Sequence, residues 1–114
     1  MKVAIIGTHG LLLPLGDFKK ILPKPKDTEL IVGTDDSVDI WVCRYSLAYK
    51  FKFRRLAPKG EDHSAVRENI RNIIQEADKV LIFWDGISKK TTYAIRECLS
   101  MKKNFNVYTT FRKS

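Results

Sequence analysis

Val80-Leu81-Ile82-Phe83-Trp84 is a run of five consecutive apolar residues. A surface helix or a half-buried strand would leave part of such a run in water, whereas a strand covered on both faces buries every side chain. The run therefore predicts a central strand of a parallel sheet. It stops at Asp85-Gly86, a turn pair, and hydroxyls follow at Ser88, Thr91 and Thr92, where a helix is expected to begin. In an open α/β sheet the carboxyl ends of the strands border the ligand crevice. A helix amino terminus there offers unpaired N–H groups to an anion. The stretch after residue 84 is thus the first place to look for function.

Apolar runs and helical stripes alternate along the rest of the chain. Val3-Ala4-Ile5-Ile6 reads as a buried first strand closed by Gly7-Thr8-His9-Gly10. Phe18, Ile21 and Leu22 suggest a short helix around residues 15 to 22, ended by Pro23-Lys24-Pro25. Glu29 to Val32 is a second strand ending at Gly33. From Ser37 onward, Val38, Trp41, Val42, Tyr45 and Tyr49 form the stripe of an amphipathic helix. Lys52 to Leu56 is a weaker third strand whose charges suit an edge. Val66, Ile70, Ile73, Ile74 and Ala77 mark another helix. A last helix is expected from about Thr91 to Lys102, and Asn106 to Thr109 is a short final strand. This alternation predicts one α/β domain over residues 1–114, a three-layer Rossmann-like fold. Its five mostly parallel strands are expected in the order 3-2-1-4-5.

Hydrophobic residues make up 44% of the chain and aromatic residues 11%, which excludes a largely disordered protein. The formal charge is +8, from 21 Lys and Arg against 13 Asp and Glu. That excess favours anionic ligands, nucleic acid or an acidic partner, and equally describes a solvated basic surface. The two cysteines form no Cys-x-x-Cys pair, and Cys98 lies on the apolar face of the last helix beside Ile95 and Leu99, as core filler. The amino terminus lacks the pattern of a secretion signal, and no run approaches the ~20 apolar residues of a membrane span. A soluble cytoplasmic protein without membrane partners is the expectation.

Lys2-Val3-Ala4-Ile5-Ile6-Gly7, the Gly33 loop closing with Val38-Asp39, and Ala77-Asp78 through Asp85-Gly86-Ile87-Ser88 then Thr91 resemble the SLOG superfamily. The resemblance is to its small stand-alone YspA-like branch and covers nearly the whole chain. It implies a Rossmann-like domain binding nucleotides or nucleotide-derived ligands, with relatives among cytokinin-activating phosphoribohydrolases and DNA-processing protein A. The chain also departs from the branch. The usual Ser-Gly-Gly-Ala-Lys-Gly-Val-Asp loop is here Val32-Gly33-Thr34-Asp35-Asp36-Ser37-Val38-Asp39, with Asp36 at the lysine position. Carboxylates in a phosphate cradle repel an anion unless a metal or basic residues intervene. The branch's Gly-Thr after the serine is Lys90-Thr91, and its Arg-Asn pair falls at Asn69-Ile70, flanked by Arg67 and Arg71.

The candidate ligand-binding residues are Gly7, Thr8, Gly33, Thr34, Asp85, Gly86, Ser88 and Thr91. Each carries a plainer reading as well. Ser88 and Thr91 either donate to a phosphate or cap the helix; Asp85 either positions a ribose hydroxyl or a metal, or forms the turn. His9 is a general acid–base or a scaffold residue. Asp35, Asp36 and Asp39 are magnesium ligands or, as the stronger reading, a helix cap and first turn, so no metal is expected. Trp84 is core or an aromatic wall.

The leading function is binding or sensing of a nucleotide-like small molecule. One alternative is a nucleic-acid-associated basic protein, using Lys50, Lys52, Arg54, Arg55 and Lys59 interleaved with Tyr49, Phe51 and Phe53. The other is a nucleotide N-glycosidic hydrolase, weakened because the relatives' Pro-Gly-Gly-x-Gly-Thr loop and following glutamate are absent. The residues leave open whether any reaction is catalysed and name no cofactor. Trp41 and Tyr45, read as exposed aromatics, are compatible with a homodimer.

Overall fold

The structure, a computed structural model, describes residues 1–7, 22, 24–33 and 37–109. The expected helix around residues 15 to 22 lies almost entirely outside them. Five strands are present: β1 (Lys2–Gly7), β2 (Glu29–Val32), β3 (Lys52–Arg55), β4 (Lys79–Trp84) and β5 (Asn104–Thr109). The described helices are α1 (Ser37–Tyr49), α2 (His63–Glu76) and α3 (Lys89–Ser100), with a 3-10 turn at Pro25–Asp27.

The strands form one sheet in the order β3-β2-β1-β4-β5, every neighbouring pair parallel, as the alternation of elements predicts. β1 sits at the centre, its Ala4 in register with Ile31 of β2 and Val80 of β4. β1 and β4 are buried along nearly their whole length because side chains pointing to both faces meet a covering layer. Val3, Ile5, Leu30, Val32, Leu81 and Phe83 point to one face, where Val42 and Tyr45 of α1 and Phe51 cover them. Ala4, Ile6, Ile31, Val80 and Ile82 point to the other, beneath Ile70, Ile73 and Ile74 of α2 and Ala94 and Cys98 of α3. The period of two along each strand thus builds two cores from one sheet.

One expectation is corrected. Tyr45 is 4% exposed, and Trp41 stacks on it with ring centroids 5.3 Å apart. Both belong to the core stripe of α1, since positions 41, 42, 45 and 49 share a helix face. Among the described residues, the large apolar side chains that α1 leaves exposed are instead Ile40 and Leu47.

Polar bonds fasten the layers at both ends. Asp78, between α2 and β4, accepts from Lys2 N–H through Oδ2 at 2.8 Å, and its own N–H donates to Lys2 C=O at 2.7 Å. Arg54 of β3 reaches Glu29 at 2.9 Å and Glu76 at 3.2 Å, and these carboxylates, Glu76 foremost, raise its pKa. Toward the opposite end, buried Asn69 donates Nδ2 to Leu56 C=O at 2.8 Å, fixing α2 to the chain beyond β3.

Candidate functional site at the carboxyl edge of the sheet

Because all strands run the same way, Gly7, Gly33 and Asp85 leave the sheet at the same edge. Gly7 is the last residue of β1 and pairs with Phe83, two residues before Asp85. Gly33 follows Val32, the last residue of β2. The chain passes from β1 outward to β2 and β3, then crosses back to β4 on the other side of β1. At such a reversal of strand order, α/β sheets hold ligands outside the carboxyl ends of the strands.

The segment after β4 is a tightly bonded turn. Asp85 Oδ1 accepts the N–H groups of Ile87 and Ser88, each at 2.9 Å. Gly86 has φ 92°, a conformation that a side chain would strain. Ser88 is the N-cap of α3: its Oγ accepts Thr91 N–H at 3.4 Å and the Thr91 hydroxyl at 3.2 Å. Its C=O accepts the N–H and hydroxyl of Thr92 at 3.0 and 2.8 Å. Asp85, Gly86, Ser88 and Thr91 are therefore brought together in one unit. Within it Asp85 acts as a turn former and Ser88 as a cap, and Thr91 is wholly buried behind Ser88.

No protein-family model matches this chain, and no curated protein matches it. What the edge offers chemically rests on its own residues.

The first turn of α3 carries Lys89 and Lys90 and no acid. The helix dipole favours Asp or Glu at that position and disfavours lysine, by about 0.3–1 kcal/mol for each charge near the terminus. These two cations stand at the positive end of the dipole, just after the Asp85 carboxylate that accepts the Ile87 and Ser88 N–H groups. Trp84 at the end of β4 packs against the second core, and its Nε1–H is buried without an acceptor among the described residues.

Thr8 and Thr34 lie outside the described residues, as do His9, Asp35 and Asp36; Asp39 falls in the first turn of α1. In the basic-aromatic segment, Phe51 is buried and Tyr49 and Phe53 pack on the first core, while Arg54 is held by its two glutamates. The aromatic rings proposed for base stacking thus serve the core, and Lys50, Lys52, Arg55 and Lys59 remain exposed. Cys98 is fully buried, and burial pushes its thiol up to about 11, away from the range of a reactive thiolate. Among the described residues, no helix is long and apolar enough to cross a membrane.

One surface was not anticipated as a unit. A groove of about 780 Å³ runs along the exposed side of α2, lined by His63, Arg67, Arg71 and Gln75 among others, with Tyr93 of α3 as its aromatic member. Arg67 lies over the Tyr93 ring, 5.5 Å from its centroid, and Arg71 pairs with Glu97 at 3.4 Å. The signal was present as a four-residue spacing of polar positions, which marks a solvated helix face as readily as a groove.

Proposed function

We propose that the crevice at the carboxyl edge binds a nucleotide or nucleotide-derived anion, and that the protein acts as a ligand-binding or sensing domain of the SLOG type. The observation that carries the reading is the start of α3: a capped helix with lysines at its first two positions and no acid in its first turn. It stands directly after the strand that flanks the topological reversal. A local electrostatic rule is broken where the fold places ligands, and such breaks gather at functional sites. The resemblance of Asp85-Gly86-Ile87-Ser88 and Thr91 to the YspA-like pattern supports the same edge. Asp35 and Asp36 make the Gly33 loop poor in positive charge, so the anionic group belongs with α3, and the Gly33 loop is left to contact the remainder of the ligand.

The test is a thermal-shift screen with nucleotides, dinucleotides and nucleotide sugars. A ligand at 100 times its Kd should stabilise the fold by roughly 2.7 kcal/mol. Ser88→Asp keeps an oxygen for the N-cap and suits the helix dipole, so the unliganded melting temperature should hold. The added charge should weaken the hit at least tenfold. A hit that binds Ser88→Asp with full affinity would place the site elsewhere, and a screen without any hit would remove the proposal.

A further inference from the structure

We propose that the outer edge of β5, which no described strand pairs, associates antiparallel with the β5 edge of a second copy of this chain, joining two five-stranded sheets into one. The two edges of the sheet differ in how they are guarded. β3 is four residues long, and three of them are the cations Lys52, Arg54 and Arg55, the usual protection of an edge against pairing. β5 is six residues long, Asn104-Phe105-Asn106-Val107-Tyr108-Thr109, with neither charge nor proline. An uncharged edge of that length presents a row of backbone N–H and C=O groups as a template.

The strand is self-complementary. A twofold axis normal to the sheet keeps each face on its own side, so paired residues must share parity along the strand. With the axis at Asn106, Phe105 lies opposite Val107 of the second copy and Asn104 opposite Tyr108. The first is an aromatic–β-branched pair, a favourable cross-strand combination, and no like charges meet within the strand. Phe105 packs against the second core, and alternation puts Val107 on the same face, yet Val107 is 37% exposed, with no strand beyond it among the described residues. The exposed part of Val107 is apolar surface that the seam buries besides its backbone bonds. A six-residue seam is small beside the ~800 Å² per partner of a standard interface, so a reversible dimer is expected. The competing occupant is an acidic strand drawn to Lys102 and Lys103; β5 itself carries no cation to select one.

Salt and two variants decide between these. Sedimentation over a concentration series should show a monomer–dimer equilibrium that tightens at high salt, since each copy carries a formal charge of +8 and screening weakens their repulsion. Val107→Lys places a charge at an exposed position, so its thermal melt should match the parent while dimerisation weakens at least tenfold. Leu47→Lys, on the outer side of α1, should leave the dimer intact. A chain that stays monomeric at every concentration and both salts overturns the proposal. So does a dimer that survives Val107→Lys, that yields to Leu47→Lys, or that loosens as salt rises.

Discussion

Cys98 is held under α3 against the second face of the sheet, and its burial has a measurable consequence at alkaline pH. In the unfolded chain the thiol ionises near 9.0, and in the folded protein at about 11. The folded state therefore holds the proton more tightly: the stability this contributes is complete below pH 9 and drains away between pH 9 and 11. Melting temperatures across that window should fall more steeply for the parent than for Cys98→Ala, and iodoacetamide should leave Cys98 unmodified at pH 8 until the chain is unfolded. Equal slopes for the two proteins would show that the thiol is not the group responsible. Residue roles were readable where they are local. Asp85 and Ser88 act on N–H groups within three residues, so turn and cap chemistry could be inferred from their spacing. Asn69 bonds to Leu56, 13 residues away, and Arg54 bonds to Glu29, 25 residues away. No short-range pattern encodes such partners, and Arg54 therefore read as a free basic residue.

Two helices end on lysines in the left-handed region, Lys50 after α1 with φ 61° and Lys102 after α3 with φ 53°. Each is followed by a bond back across the last turn, Phe51 N–H to Ser46 C=O and Lys103 N–H to Cys98 C=O, both 2.9 Å. Glycine usually fills this position because a Cβ there costs about 1–2 kcal/mol. Lys102→Gly should raise the urea midpoint by an amount worth about 0.5–1 kcal/mol, the relief of strain less the greater freedom of glycine in the unfolded chain, ~0.4–1 kcal/mol. A lowered midpoint would mean that the lysine side chain contributes more than its backbone costs. The missing glycine also explains why the sequence suggests α3 running to Lys102 when it ends at Ser100. β5 likewise begins at Asn104 rather than Asn106: Asn104 and Phe105 pair with Lys79 and Val80 of β4, a register that no local pattern encodes. β1, β2 and β4 carried unbroken apolar runs, and burial on both faces leaves few other ways to place them.

At the scale of the molecule, the sheet carries apolar side chains on both faces beneath helices. The centre of that sheet has a history. β1 is synthesised before the other four described strands, yet the strand that completes it, β4, pairs Val3 with Lys79 and Gly7 with Phe83. At about 5–20 residues per second, the flank of β1 carrying Ile5 and Ile6 waits several seconds for its neighbour. A fragment ending at Asp78 freezes that moment and should collect in the insoluble fraction, with solubility recovered when residues 79–114 are co-expressed. A soluble, folded fragment would show that β2 and β3 suffice to shield β1. The timetable of strand delivery during translation thus sets when this chain most needs chaperones and when proteases find it easiest to cut.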